Sequence, residues 1–300
     1  MFYSIGIRSK GSDKPLFSDN WLFGIALQPV AHMSYVGFYI NLDRSSERKA
    51  LLEAQLMRLG LQHRYRRFPA AAGNALGFPN PSLTESEIGC FISHYLVLKQ
   101  NRNCSTHLHV LEDDVIFSRF TESSIHQVIS SDAMENYDII FLDSDVDVQS
   151  RNYRELKERY DLNVNRDSNG TVTSFRLTPI EYIAAMSSYI VNRASIEKLL
   201  DIYEQMLHVG VTCPVDLAIR ELARAGRIRI GCLFPFVTSI QLDGVNSTIV
   251  GRTSDPLSTL AKNIPRRSFF SIAILSRCEL TPRRRCRLEQ SIRTTSYLVA

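Results

Sequence analysis

No run of apolar residues approaches the roughly eighteen that a membrane-spanning helix needs, so none is expected. The six cysteines (Cys90, Cys104, Cys213, Cys232, Cys278 and Cys286) include no C-x-x-C pair, which argues against a zinc ribbon or a redox dithiol. A disulfide scaffold does not suit a chain of 300 residues either, because such frameworks belong to small secreted domains. Reduced thiols in a cytosolic protein are the expectation. Internal repeats and low-complexity tracts are also lacking, which excludes solenoids and collagen-like chains. Charge of one sign is scarce: the net charge is only +4, so bulk composition gives no argument for nucleic acid. Near the start, Arg8, Lys10 and Lys14 precede WLFGIAL, but that run is short, is broken by Gln28 and Pro29, and follows Asp13 and Asp19. It makes a poor secretory signal. Residues 1–32 are expected to be a poorly ordered extension.

At 44% hydrophobic and 22% charged residues, the chain has the composition of a globular protein with a sizeable core. Charge is unevenly placed. Residues 262–300 hold nine Lys/Arg and two Glu, a local excess of +7, leaving the rest at −3. One α/β domain over 33–261, followed by a basic tail, is the expected organisation. The tail is either solvated or a peripheral contact with an anionic membrane surface.

Local patterns alternate between strand and helix. YVGFYINL (35–42) reads as a strand buried on both faces. Ser45 or Ser46 is placed to cap the following helix, where Leu52, Leu56 and Leu59 recur at helical spacing and Gly60 supplies the stop. HRYRRFPA (63–70) reads as a second strand. Thr84 with Glu87 forms a capping-box pattern ahead of the stripe Ile88, Phe91, Ile92, Tyr95 and Leu98. Gly89 inside that helix implies close backbone packing. HLHVLE (107–112) and YDIIFLD (137–143) are further strands, and the polar stretch 144–173 reads as a mobile excursion. EYIAAMSSYIVN suggests a strand or strand pair, ASIEKLLDIYEQML and PVDLAIRELARAG helices, and RIRIGCLFPF a strand. Such alternation predicts an α/β sheet covered on both faces, with ligands at the carboxyl ends of its strands. That edge collects Asp43, Glu112–Asp114 and Asp143–Asp145.

Three adjacent acids, Glu112, Asp113 and Asp114, interrupt two apolar runs with no counter-charge beside them. Carboxylates at a strand end suit a hard cation, Mg2+ or Mn2+, which shares its shell with substrate phosphates. An exposed acidic loop, or caps for the next helix, is the rival reading. DSDVD (143–147) is a weaker candidate of D-x-D form.

INLDRSSER (40–48), LTESEIGCFISH (83–94) and HVLEDDVIF (109–117) occur in that order, and together they resemble the motifs of glycosyltransferase family 25. Weaker likeness continues through YDIIFLD, YIAAMSSYIVNRASIEKLL, CPVDLAIRE and PFVTSIQ, so that the resemblance spans roughly 35–250. FLDSD departs from it, since members commonly show Leu-Gly there. The resemblance implies a GT-A-type, Rossmann-like α/β fold with a mixed, mostly parallel sheet. It also implies a nucleotide-sugar donor, usually a UDP-hexose, a divalent metal, and inversion at the anomeric carbon. On that reading Asp114, with Asp113 or Glu112, holds the metal, which stabilises charge on the leaving diphosphate. Asn41, Asp43 and Arg44 are placed for the base or ribose, and Arg48 for a phosphate or for pairing with Glu47. Ser93 and His94 either contact the donor or are satisfied within the core, and Glu87 is either a site residue or only a cap. Asp216 is the candidate general base, with Asp145 and Asp243 as alternatives. The implied acceptor is a saccharide of the cell envelope, lipid-linked in some cases, and the implied place is the cytoplasm or the inner membrane face. A metal-dependent phosphoesterase and a non-catalytic nucleotide-sugar binder are the competing functions.

Overall fold

The computed structural model describes residues 35–73, 83–146, 154–158, 173–175, 182–241, 266 and 270. The expected extension at 1–32, Asp243, most of the 144–173 stretch and most of the basic tail lie outside the described residues.

The elements run β1 (Tyr35–Asn41), α1 (Ser46–Arg58), β2 (Tyr65–Pro69), α2 (Glu85–Gln100), β3 (His107–Glu112), β4 (Val115–Phe117), α3 (Thr121–Ile129) and α4 (Ala133–Asn136). Then come β5 (Ile139–Phe141), a short helix α5 (154–158), β6 (Thr173–Phe175), β7 (Ser188–Val191), α6 (Ile196–Val209), α7 (Val215–Arg224), β8 (Ile230–Phe234) and β9 (Thr238–Ile240). A seven-stranded sheet has the order β2-β1-β3-β7-β5-β8-β6. β1 pairs parallel with β2 and β3, and β5 pairs parallel with β8. β7 runs antiparallel between β3 and β5, and β6 is antiparallel to β8 at the edge. The sheet is therefore mixed, with most strands pointing one way. β4 and β9 form a separate two-stranded antiparallel ribbon.

The almost unbroken apolar strands are explained by burial of both faces. Alternate residues of β1 point to opposite sides. Phe38 and Ile40 join the cluster with Phe91, Tyr95 and Leu98 of α2 and Tyr203 of α6. Tyr35 and Tyr39 join Leu52 and Leu56 of α1, Phe117 of β4 and Ile125 of α3. Leu52 and Leu56 are almost fully buried, and such a side chain contributes about 1.5–3 kcal/mol. Gly37 faces the Tyr65 ring, whose nearest atom would stand 2.2 Å from an added Cβ. Only the missing side chain lets β2 close against β1 there.

Helix ends follow the local chemistry. Thr84 and Glu87 form the reciprocal capping box of α2, the Glu87 carboxylate accepting from the Thr84 amide at 2.7 Å. Glu87 is thus a cap. Ser45 is the N-cap of α1, yet its side chain makes no capping bond. Gly60, at φ +70°, takes the left-handed turn after α1.

Two buried polar groups tie strands together. His109 lies between the Tyr65 hydroxyl at 2.7 Å and the Ser188 hydroxyl at 3.0 Å, and burial pushes its imidazole down to about 3. Asp138, just before β5, accepts from Ser195 Oγ, Lys198 Nζ and the Arg229 amide, each at 2.7 Å. Burial pushes this carboxyl up, but Lys198, the Arg229 amide and Ser195 outweigh it and hold it below its ordinary value. A depressed carboxyl stabilises the fold above its unfolded pKa and loses that contribution as pH falls through the folded value. Asp138→Asn is expected to lower stability at pH 7 by about 1.5–3 kcal/mol. Urea unfolding should show that difference shrinking as the pH drops below about 4; a deficit constant down to pH 3 would show that charge plays no part.

Candidate active site

The three adjacent acids sit at the carboxyl end of β3, in the tight turn that leads into β4. Main-chain bonds fix the turn from both sides, with the Glu112 amide donating to Ser187 O at 2.8 Å and the Gln241 amide to Asp114 O at 2.9 Å. This backbone grip separates the carboxylates into three environments.

Asp113 turns inward and is nearly buried. It accepts from Asn41 Nδ2 at 2.7 Å and pairs with Arg48 of α1. Asn41 also donates to Ser45 O at 3.0 Å and accepts from Arg67 Nε at 2.8 Å, so its amide is fully engaged in positioning Asp113. Arg67 reaches on to Asn41 O at 3.0 Å and Asp43 Oδ1 at 2.5 Å. Asp114 stands 3.1 Å from the same Arg48 through Oδ2, while its Oδ1 is buried without a partner. The counter-charge absent from the local sequence is therefore supplied in part by Arg48, across 65 positions of chain. Burial and the neighbouring Glu112 charge still push the Asp114 carboxyl up to about 7, against Arg48. Glu112 faces α2 instead. Burial raises its carboxyl, but His94 nearby and the charges of Arg48 and Arg266 bring it below its ordinary value.

These acids line a cleft of about 250 Å³ between the sheet edge and α2. It collects Arg44, Arg48, Ser93, His94, Glu112, Asp113 and Asp114. Asn41, Asp43 and Asp216 are not among its lining residues. Gly89 explains how the opposite wall closes: an added Cβ would stand 2.6 Å from Ala71 O. Ser93 secures the same approach, accepting from the Ala71 amide at 2.8 Å and donating to Gly89 O at 2.6 Å. His94 is buried, with Nδ1 on the Tyr189 hydroxyl at 2.8 Å and Nε2 turned toward Glu112.

A second acidic group lies beyond the end of β5. Asp143, fully buried, receives two guanidinium nitrogens of Arg266 at 2.6 and 3.1 Å and the Ser187 hydroxyl at 2.8 Å. Arg266 also reaches Asp145 at 3.1 Å and Ser187 at 2.5 Å. These unexplained acids thus have a partner within the region read as a tail. A domain boundary at 261 leaves out Arg266 and Phe270, which is also buried and bridges to Phe236. Asp216, near the start of α7, accepts from the Leu217 amide at 2.8 Å and the Ala185 amide at 3.4 Å. Burial, then the Asp145 and Glu112 charges, raise its carboxyl against those two amides. Ala185 holds φ +96°, a left-handed backbone that costs a residue with a Cβ about 1–3 kcal/mol.

Arg67, Arg266, Ser187 and Tyr189 were not singled out by sequence. The arginine pair in HRYRRFP was the local signal for Arg67.

Fold and site together define an α/β protein with an acid-lined cleft at the carboxyl edge of its sheet. The model of glycosyltransferase family 25 (LPS biosynthesis protein) matches residues 35–219, and the chain belongs to that family. Its α/β architecture has the mixed sheet that the resemblance implied. Curated relatives include proteins described as glycosyltransferase 25 family members from Drosophila pseudoobscura pseudoobscura and Drosophila melanogaster. They are 29% and 28% identical over 124 residues, which is 35% of this chain and 20% of each relative. The match therefore spans about a fifth of their length. Among solved structures, the galactosyltransferase LgtC in complex with donor and acceptor sugar analogues aligns over 62% of this chain and 70% of its own. The identity is 13% and the TM-score 0.32.

Removing one partner of a buried ion pair strands the other charge and typically costs about 3–5 kcal/mol. Arg266→Met should lower stability by that order in chemical denaturation, and Asp143→Asn in the same chain should recover part of the loss. A single variant as stable as the parent would show that Arg266 does not neutralise Asp143.

Proposed function

We propose that the chain is an inverting glycosyltransferase that moves a hexose, galactose being the first candidate, from a UDP-sugar to a cell-envelope saccharide such as lipopolysaccharide or lipooligosaccharide. Family membership supports transfer of a sugar. The observation that carries the site assignment is the unpartnered, buried Oδ1 of Asp114 beside Glu112 in a cleft that also holds Arg44 and Arg48.

The residues present fit a divalent cation, Mn2+ or Mg2+. Asp114 offers a free hard oxygen, Glu112 a second carboxylate, and these cations prefer oxygen donors. Asp113 supports the site rather than ligating, because Asn41 and Arg48 already hold both of its oxygens. When bound, the metal stabilises the charge that builds on the leaving diphosphate. Arg44, exposed at the rim, adds positive charge for the same phosphates. Asp43 and Asn41 act through Arg67 and Asp113 to keep this wall in place. Asp216 serves as the general base. Burial makes it more basic than a free carboxylate, and the two amides aim it. It accepts the acceptor hydroxyl's proton on the face opposite the leaving group.

The reading extends to place. The arginines after residue 272 bring the chain to the anionic inner face of the cell membrane, where a lipid-linked acceptor lies. Each Lys/Arg near such a surface contributes about 1 kcal/mol.

A panel of UDP-sugars with Mn2+ tests the reaction. UDP release should require metal, rise with acceptor, and be lost in Asp114→Asn. Asp216→Asn should slow turnover by about 10²–10⁴-fold, and a wild-type rate in that variant ends the base assignment. No release from any UDP-sugar would overturn the transferase reading.

The membrane contact has its own test. A chain ending at residue 272 keeps Arg266 and Phe270 and should pellet less with phosphatidylserine liposomes than the full chain. Equal pelleting would remove the membrane contact.

A further inference from the structure

The wall of the cleft formed by α2 carries donor chemistry that a phosphate-bound hard cation does not need. Cys90 and His94 are four residues apart, so they share one face of the helix, and Glu112 meets them from the end of β3. Cys90 Sγ stands 3.7 Å from Glu112 Oε1, His94 Nε2 stands 3.6 Å from the same oxygen, and the three ligand atoms lie within 4.8 Å of one another. Zinc–ligand bonds are about 2.0–2.3 Å, so two donors on a tetrahedral ion stand roughly 3.3–3.6 Å apart. The Glu112 oxygen is within a few tenths of an ångström of that spacing from both donors, and bringing Sγ and Nε2, which lie within 4.8 Å of each other, onto one ion with it takes a closure of about 1.2 Å at most.

His94 supplies the independent observation. Its side chain is 1% exposed, yet Nε2 has no hydrogen-bond partner. At 3.6 Å the Glu112 oxygen is too far to accept from it. Leaving such a nitrogen buried and unsatisfied costs about 1–3 kcal/mol. The other nitrogen is held at 2.8 Å by the hydroxyl of buried Tyr189. This is how an outer-shell partner fixes the ring of a metal-binding histidine and turns its free lone pair toward the ion.

We propose that Cys90, His94 and Glu112 form a binding site for a zinc-class cation, distinct from the oxygen site at Asp114 in its sulfur and nitrogen donors. Sulfur and imidazole nitrogen select Zn2+ or Co2+ over Mg2+. Cys90 binds as the thiolate and its proton passes to solvent. All three residues line the cleft, so the fourth position opens toward the substrate space. Glu112 is common to both cations, and occupancy here withdraws it from the Asp114 site. That consequence rests on the transferase reading, whereas the site itself does not.

Titration of the full chain with Co2+ reads the site without any activity assay. A thiolate-to-cobalt charge-transfer band should appear in the parent, vanish in Cys90→Ser, and persist in Asp114→Asn. Tyr189→Phe should weaken Co2+ binding by about tenfold or more. In the unaltered chain, Zn2+ should protect Cys90 from alkylation, read by mass spectrometry. Absence of the band in the parent, its survival in Cys90→Ser, or equal alkylation with and without Zn2+ would each overturn the site. If UDP release is measurable, Zn2+ should inhibit it in the parent and less in Cys90→Ser. Loss of release in Asp114→Asn with the cobalt band intact separates the two metal assignments.

Discussion

Carboxylates crowded along one edge of a single sheet are the constraint to which the rest of the structure answers. Asp43, Glu112, Asp113, Asp114, Asp143 and Asp145 all lie at or just beyond strand ends that point the same way. Two like charges 4 Å apart repel by about 4 kcal/mol at the effective dielectric of a protein surface. A fold worth some 5–15 kcal/mol cannot carry several such pairs unopposed. Arginines meet them from separate parts of the chain: Arg67 from β2, Arg48 from α1 and Arg266 from the C-terminal region. The planar, multiply donating guanidinium suits this task, since one arginine can bridge two acids. Arg48 does so for Asp113 and Asp114, and Arg266 for Asp143 and Asp145. Charge balance at the site thus also links α1, β2 and Arg266 to the ends of β1, β3 and β5.

The balance is incomplete in an informative place. Asp113 and Asp143 are buried and surrounded, whereas Asp114 keeps one oxygen without a partner. The arginines take up Asp113 and Asp143, whereas Asp114 Oδ1 and the Glu112 carboxylate stay outside those pairs. In the sequence, Asp114 leads and the choice between Asp113 and Glu112 beside it stays open. Folding makes them unequal, because a strand end followed at once by a turn points successive side chains in different directions.

The elements that could be read in advance are those encoded by neighbours. The capping box of α2 and the stop at Gly60 depend on residues a few positions apart, and the double-sided burial of β1 and the close approach at Gly89 are marked by the residue types themselves. The edge that gathers the acids follows from a general rule about α/β sheets. Strand direction could not be read, because a period of two is the same in either sense. The reversal of β7 and the β4–β9 ribbon therefore appear only in the fold. The partners of Arg48 and Arg266 were hidden for a related reason. They lie 65 and 123 positions away, and an arginine in a helix or a basic tail looks identical whether solvated or buried. Asn41 looked like a ligand-binding residue for the opposite reason: its strand-end position was right, but its amide is used within the protein.

The reversed strand is what makes the edge more than a row of acids. The parallel strands end at this edge, whereas β7 starts from it, so the segment just before Ser188 lies at the edge itself. That segment places the Ser187 hydroxyl on Asp143 and the Ala185 amide toward Asp216, while β7 itself presents the Tyr189 hydroxyl to His94. Each contact orients a group that the cleft or its border uses. Ala185 accepts a left-handed backbone to point its amide in this way, and the buried Tyr182 hydroxyl, donating to its carbonyl at 3.1 Å, holds that conformation. Local strain of this kind persists only where surrounding contacts over-determine it. Here they do so beside the carboxylate that borders the acidic edge, which ties the mixed sheet directly to the geometry of the site.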